Sequence, residues 1–148
     1  MSAEDPLIAC PHCAAMNRVP LARLAEAPAC GRCHHPLFTG VPLALGEADF
    51  DRHALRGTLP LLVDFWAPWC GPCLQMAPHF QRAAGLLEPA IRLAKVDTEA
   101  SPGLGNRFGI RSIPTLVLFR QGRELARQPG AMGEADIVRW TRQHLPSR

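Results

Sequence analysis

All six cysteines of the chain stand in three pairs with the spacing C-x-x-C. The pairs are "CPHC" at residues 10–13, "CGRC" at 30–33 and "CGPC" at 70–73. Paired cysteines at this spacing either hold a metal ion or exchange electrons as thiols, and the two uses require different surroundings. The organisation of the chain therefore depends on which use each pair serves.

The first two pairs are separated by sixteen residues, which lies within the spacing range of a tetrahedral zinc site. We expect Cys10, Cys13, Cys30 and Cys33 to hold one structural Zn²⁺ per chain. Residues 1–38 have little periodic apolar pattern, so the metal would replace a core that this segment cannot build alone. The alternative, two independent redox or thiol pairs, stays open.

Two further points concern the surroundings of this site. His12, His34 and His35 lie beside the cysteines, and we expect them to be exposed loop residues because four thiolates are already present. Four thiolates around one Zn²⁺ leave excess negative charge, which nearby cations stabilise. Along the chain, the nearest such cations are Arg18, Arg23 and Arg32.

The composition is that of a globular protein, with 148 residues of which 47% are hydrophobic and 20% charged. This length accommodates one compact domain of roughly 100 residues with a small appendage, or one medium-sized domain. The net charge of +3 is scattered without a Lys/Arg run, so we expect no nucleic-acid partner. No apolar run approaches the roughly 18 residues of a membrane helix, so we expect no membrane partner.

The first ten residues, "MSAEDPLIAC", carry acidic side chains and lack the basic and apolar regions of a secretory signal. We therefore expect a cytoplasmic protein. In the reducing cytosol, paired cysteines are more often metal ligands or redox catalysts than structural disulfides.

Regular apolar patterns begin after residues 39–46, whose glycine and proline content is typical of a linker. We accordingly divide the chain into a metal-binding domain at 1–38, this linker, and a larger domain at 47–148. The larger domain is predicted to contain helices, strands and a closing hairpin and helix, in the order 46–57 (helix), 59–67 (strand), 73–87 (helix), 90–98 (strand), 101–109 (helix), 115–130 (hairpin) and 133–145 (helix). This order favours an α/β fold with a mixed central sheet flanked by helices.

The third pair stands between a predicted buried strand and a predicted helix. The free N–H groups and dipole at a helix N-terminus favour a thiolate, so Cys70 is the predicted nucleophile. Cys73 lies one turn further along and is predicted to be more buried. It would attack the Cys70 sulfur of a mixed disulfide and release the reduced substrate. Gly71 and Pro72 shape the turn between them.

"VDFWAPWCGPC", together with "KVD", "GIRSIPT" and "GREL" followed by "GA", resembles the thioredoxin family over roughly residues 45–146. With its four N-terminal cysteines, the chain is similar to the bacterial zinc-containing second thioredoxin type. The resemblance implies a thioredoxin fold with a small zinc-ribbon-like domain and no bound organic cofactor. It also implies a monomeric protein-disulfide reductase that acts on client proteins and is recharged by thioredoxin reductase and NADPH.

The resemblance also assigns roles to individual residues. Cys70 becomes the nucleophile and Cys73 the resolving thiol, while Asp64 becomes the carboxylate that helps to move the Cys73 proton. Independently of the family, Asp64 is the only charge in "LPLLVDFWAPW", and burial raises the pKa of a carboxyl group towards neutrality. Lys95, the only lysine of the chain, matches the family lysine beside that carboxylate. Pro114 matches the cis-proline that faces the cysteines.

A shallow apolar surface that receives an extended substrate segment is a further implication of the resemblance. The matching residues are Trp69, Gly71, Pro72, Ile113 and Gly130. Leu74 departs from the family pattern, because family members often carry a basic residue after the second cysteine.

Two functions of other classes stay open at this point. The protein could act as a zinc-dependent interaction module on a thioredoxin scaffold, or as a disulfide oxidase or isomerase. The Gly-Pro dipeptide between Cys70 and Cys73, and the expected absence of an export signal, favour a reductase over the second alternative.

Overall fold

The computed structural model describes residues 5–146. Residues 1–4 and 147–148, which belong to the outer ends of the two predicted domains, lie outside the described residues. The first of these ranges includes part of the segment on which the expectation about a secretory signal rests.

The structure consists of an N-terminal segment (residues 5–38) and a sheet domain (residues 43–146). The N-terminal segment contains a hairpin and a 3₁₀ turn, namely β1 (Leu7–Ala9), β2 (Met16–Arg18) and Leu21–Arg23. The elements of the sheet domain are β3 (Leu43–Ala44), a π-helical turn (Arg52–Arg56), β4 (Leu61–Trp66), α1 (Gly71–Leu87), β5 (Arg92–Asp97), α2 (Pro102–Arg107), β6 (Thr115–Arg120), β7 (Arg123–Pro129) and α3 (Glu134–His144). None of the helices in these described residues is long and apolar enough to cross a membrane.

The five strands of the sheet domain lie in the order β3-β5-β4-β6-β7. β3 and β4 run parallel to β5, whereas β6 is antiparallel to both β4 and β7. The predicted mixed sheet is therefore confirmed. In the parallel register of β4 and β5, Asp64 stands opposite Lys95.

Strand β4 is central because its sequence is apolar on both faces, as the continuous run predicts. Since side chains alternate along a strand, Leu62 lies in the core formed with α1 and α3, and Phe65 lies in the core on the other face. The first core also holds Met76 and Phe80, and the second holds Phe50. Helical elements thus cover both faces of the sheet.

The segment predicted as a linker contributes to the sheet. Leu43–Ala44 pair with Ala94 and Lys95 of β5, and Leu45 is buried in the core. A strand of two residues is too short to show an alternating pattern, which is why the sequence did not predict it. The proposed domain boundaries around residues 39–46 stay a prediction.

The N-terminal segment packs against the sheet domain. Its cluster of buried residues is completed by Leu59, which precedes β4; the other members are Ile8, Cys10, Val19, Leu24, Cys30 and Leu37. The backbone N–H of Leu7 donates to Oγ1 of Thr58 over 2.8 Å, and the N–H of Thr58 donates to the carbonyl of Leu7 over 2.9 Å. The N-terminal segment therefore shares a core with the sheet domain.

Candidate functional site

A disulfide bond joins Cys70 and Cys73 at the beginning of α1. Cys70 occupies the N-cap, and its Sγ accepts a hydrogen bond from the backbone N–H of Cys73 over 3.2 Å. Pro72 in the first turn removes no helical hydrogen bond. When the pair is reduced, the same N–H and the helix dipole favour a thiolate at Cys70. Cys73 is the more deeply buried residue of the pair, at 1% exposure against 4% for Cys70.

The loop before β6 faces the disulfide. Cys70 Sγ lies 3.7 Å from the carbonyl oxygen of Ile113, and the Ile113–Pro114 peptide bond is cis, as the resemblance implies. Ile113 and Trp66 pack against the cluster formed by the two cysteines and Ala67. The disulfide is therefore held between the start of α1 and this loop.

Asp64 is a buried carboxyl group without a hydrogen-bond partner among the described residues. It lies two positions after Leu62 on β4 and so points to the face that α1 covers. Burial raises the pKa of Asp64 to about 7, and the charge of Lys95 opposes that rise. The carboxyl group is thus able to accept and release a proton near neutral pH.

Lys95 is placed beside Asp64 by the sheet register and by an aromatic ring. Its Nζ lies 4.3 Å from the ring centroid of Trp66, within the range of a cation–π interaction. Trp66 is two residues beyond Asp64 on the same strand and hence on the same face. The ring therefore holds the ammonium group on the side of the sheet where the carboxyl group is buried.

A shallow cavity of about 240 Å³ lies beside the disulfide. Two of the five residues predicted for the substrate surface, Trp69 and Ile113, line it. Gly71, Pro72 and Gly130 lie outside its lining; the first two are exposed at the start of α1, and the N–H of Gly130 donates to the carbonyl of Pro114. The remaining lining residues, which the sequence did not single out, are Thr98, Pro102, Gly105, Asn106, Ile110, Arg111 and Ser112.

The four N-terminal cysteines converge on one point. Their Sγ atoms lie within 4.8 Å of one another, with Cys10 and Cys33 at 3.6 Å and Cys13 and Cys30 at 3.5 Å. Metal–sulfur bonds of about 2.3 Å in a tetrahedron place the sulfurs about 3.8 Å apart. The four residues therefore fit a tetrahedral metal ion with an all-sulfur donor set.

Backbone and side-chain donors surround the sulfur of Cys30. The N–H of Cys33 contributes most to lowering the pKa of this thiol, and the N–H of Arg32 and the amide of Asn17 act in the same direction. The last two donors lie 3.4 Å and 3.5 Å from Cys30 Sγ. These contacts favour a thiolate, which is the form that binds a metal.

The histidines of this segment behave as expected from the sequence. His12, His34 and His35 are exposed, and the rings of His12 and His35 stack with their centroids 3.7 Å apart. Among the described residues, the group able to hold a metal ion consists of the four cysteines alone.

Comparison with known families decides the relationship. The family described as Thioredoxin matches residues 41–143, and the family described as Thioredoxin 2, N-terminal, matches residues 9–35. The chain belongs to the thioredoxin family. The two matches confirm the resemblance to the second thioredoxin type and the fold that it implies, a thioredoxin domain preceded by a small ribbon with four cysteines.

Individual thioredoxins match at substantial identity. Thioredoxin C-3 of Corynebacterium nephridii is 45% identical over 139 residues, which cover 94% of this chain and 95% of the relative. Thioredoxin 1 of Synechococcus elongatus is 37% identical over 71% of this chain and 98% of its own length. Thioredoxin of Haemophilus influenzae is 35% identical over 70% of this chain and 96% of its own length.

The arginines around the ribbon of this thioredoxin differ in their burial. Arg18, Arg23 and Arg32 are exposed, and their expected compensation of the charge of the metal site stays a prediction. The buried arginine near the cysteines is Arg92, at the beginning of β5 and 4% exposed. The sequence did not indicate that Arg92 lies near the metal site, because 59 positions separate it from Cys33.

Proposed function

We propose that this thioredoxin reduces disulfide bonds of client proteins by dithiol–disulfide exchange at Cys70 and Cys73. The observation that supports this most directly is the disulfide at the N-terminus of α1, on the face of the sheet where Asp64 is buried with no hydrogen-bond partner within residues 5–146. A strained or structural disulfide needs no such proton acceptor, whereas the exchange reaction requires one.

In the first step, the Cys70 thiolate attacks one sulfur of the substrate disulfide. A bond forms between Cys70 Sγ and that sulfur, the substrate S–S bond breaks, and the electron pair leaves with the other substrate sulfur. The free N–H groups and the dipole at the helix N-terminus favour the thiolate form of Cys70, which is the form that attacks.

In the second step, the Cys73 thiol gives its proton to the Asp64 carboxylate and attacks Cys70 Sγ. The bond between Cys70 and the substrate breaks, and the second substrate sulfur leaves with the electron pair. The substrate has then gained two electrons, and the protein holds the Cys70–Cys73 disulfide present in the structure. Lys95 limits the rise in the pKa of Asp64, so that the carboxyl group is partly ionised and able to accept the proton.

The substrate is proposed to bind as an extended segment across the surface around Cys70. Trp69 and Ile113 supply apolar contacts, Gly71 and Pro72 allow close approach to the sulfur, and the backbone near Pro114 and Gly130 borders the site. Trp69 is 70% exposed and Leu74 is 52% exposed, which provides apolar area for a partner. At position 74, where thioredoxins often carry a basic residue, this chain thus presents apolar surface.

Turnover requires an electron donor, because each cycle leaves the protein oxidised. We propose thioredoxin reductase, drawing on NADPH, as that donor. The protein is proposed to act as a cytoplasmic monomer, with disulfide-containing proteins rather than nucleic acids or membranes as partners.

The four N-terminal cysteines are proposed to hold one Zn²⁺ per chain. Four thiolates in tetrahedral arrangement are a donor set typical of structural zinc. When bound, the ion ties the turn at Cys10 and Cys13 to the turn at Cys30 and Cys33. We propose that the metal-binding domain ends at residue 38 and that the thioredoxin domain extends over 47–148.

Metal binding and cysteine oxidation compete in this site, because cysteine ligates zinc as a thiolate and a disulfide does not. Treating the protein with a disulfide-forming oxidant is expected to release about one Zn²⁺ per chain, measured with a chromogenic chelator. A variant with Cys70 and Cys73 both replaced by serine removes any contribution of the redox pair. Zinc that stays bound after disulfides have formed in the ribbon would refute this account.

Insulin reduction by dithiothreitol tests the proposed activity without a partner enzyme. Catalytic amounts of the protein are expected to accelerate precipitation of the insulin B chain well above the rate with dithiothreitol alone. An unchanged rate with fully metallated protein would contradict the proposal.

A further inference from the structure

Arg92 is the first residue of β5, yet its side chain serves the N-terminal segment. Its Nη1 donates to the carbonyl of Leu37 over 2.7 Å, and its Nη2 donates to the carbonyl of Ala9 over 3.2 Å. The guanidinium carbon lies 4.6 Å from the ring centroid of Phe38. All three contacts are with residues 5–38, so a side chain of the sheet domain is embedded in the ribbon.

The contact with Ala9 leads directly to the metal site, because the next residue is the ligand Cys10. The sulfur of Cys10 accepts hydrogen bonds from the backbone N–H groups of His12 and Cys13, over 3.3 Å and 3.4 Å. Fixing the carbonyl of Ala9 therefore fixes the start of the turn that presents two of the four ligands. Leu37, the second acceptor, follows the other pair of ligands by four residues.

The charge of Arg92 also suits this position. Burial lowers the pKa of its guanidinium to about 10, an effect that the nearby carboxylate of Glu88 opposes, so the group is a cation at neutral pH. The salt bridges formed within residues 5–146 do not include Arg92. A buried cation is costly unless negative charge is near. The carboxylate of Glu88 supplies part of that charge, and a metal ion held by four thiolates would add to it.

We propose that Arg92 is a positioning residue of the metal site: through the carbonyls of Ala9 and Leu37, and by its charge, it holds the ribbon in its metal-binding geometry. The inference rests on the proposed zinc site. It adds that the affinity of the ribbon for zinc depends on a side chain from the thioredoxin domain. By thermodynamic linkage, bound zinc must in turn strengthen the contact between the two parts.

The test measures zinc affinity of the full chain by competition with a chromogenic chelator. Arg92→Gln removes the charge and one end of the two-carbonyl contact, and is expected to weaken zinc binding by about 10- to 100-fold, as outer partners of metal ligands do. Arg92→Lys retains the charge with fewer donors and is expected to fall between Arg92→Gln and the unaltered protein. Arg32→Gln is the matched control, because Arg32 lies between two ligands but is exposed; it should change the affinity by less than about twofold.

The outcomes distinguish failure of the proposed role of Arg92 from failure of the proposed zinc site. If the unaltered protein binds no zinc, the proposed metal site fails. If it binds zinc but Arg92→Gln binds equally tightly, or Arg32→Gln loses as much affinity, the role of Arg92 is overturned. Insulin reduction by each variant reports whether the thioredoxin domain is folded. If Arg92→Gln does not fold, the zinc affinity of Arg92→Lys against that of the unaltered protein still tests the role of Arg92.

Hydrogen exchange provides a second readout that a general loss of stability does not imitate. The N–H of Thr58 bonds to Leu7 across the contact between ribbon and sheet domain. Chelation of zinc is expected to accelerate hydrogen exchange of the Thr58 N–H in the unaltered protein and to have much less effect on it in Arg92→Gln. An equal effect in both proteins would contradict the proposed linkage.

Discussion

Replacing Cys70 with serine is expected to reduce insulin reduction to the rate of dithiothreitol alone, a loss of at least about 10³-fold in the catalysed rate. A serine hydroxyl does not ionise at the helix N-terminus and forms no bond to a substrate sulfur, so the first step has no nucleophile. The measurement is the initial rate of B-chain precipitation at equal protein concentration. Cys13→Ser serves as the control for cysteine loss elsewhere and should retain the activity of the redox centre.

Cys73→Ser separates the two steps. Cys70 still attacks, but the mixed disulfide has no resolving thiol, so a covalent adduct with the substrate should accumulate. Mass spectrometry of the unreduced protein detects the adduct, which dithiothreitol should remove.

Near-normal catalytic activity of Cys70→Ser would contradict the proposed mechanism. Intact cellular function of Cys70→Ser without catalysis would favour the interaction-module alternative.

Asp64→Asn is expected to stabilise the oxidised protein at alkaline pH. The pKa of Asp64 is raised from 3.8 to about 7 by burial, so ionising this group in the folded protein costs on the order of 4 kcal/mol. Asparagine has nearly the same shape and no charge. The free energy of unfolding in urea at pH 8 should therefore increase by a few kcal/mol, approaching that figure.

The pH dependence of this difference has a defined sign. Between about pH 4 and pH 7 the unfolded chain releases the Asp64 proton while the folded protein keeps it, so the native protein loses stability as pH rises. The advantage of Asp64→Asn should be near zero below pH 4, grow through this window and level off above pH 7. Asp136→Asn, at an exposed ion pair with Arg139, is the control and should change stability by less than about 1 kcal/mol at every pH. A pH-independent gain would contradict the raised pKa.

The sequence predicted the two chemical centres because their signals are local. Two C-x-x-C pairs separated by sixteen residues define a four-cysteine site by spacing alone, and the structure brings their sulfurs within 4.8 Å. A buried strand followed by a helix likewise predicts Cys70 at a helix N-terminus, where the structure places it. The raised pKa of Asp64 follows from a single charge within an apolar strand.

The features that the sequence did not predict depend on contacts between distant segments. In the sequence, Arg92 looks like an ordinary charged residue at the beginning of a strand. Its hydrogen-bond acceptors, the carbonyls of Ala9 and Leu37, are brought to it only by the packing of residues 5–38 against β5. The position of Lys95 over Trp66 requires the parallel pairing of β4 and β5. Such pairings are set by the tertiary fold and leave no periodic signal in the sequence.

The protein is proposed to combine a disulfide-reducing centre and a zinc ribbon in one chain. NADPH oxidation in the presence of thioredoxin reductase and insulin, with zinc quantified in the same sample, tests both parts of this proposal together. We expect NADPH consumption that depends on both the protein and insulin, in protein that contains about one Zn²⁺ per chain. Fully metallated protein that supports no NADPH oxidation would contradict the claim.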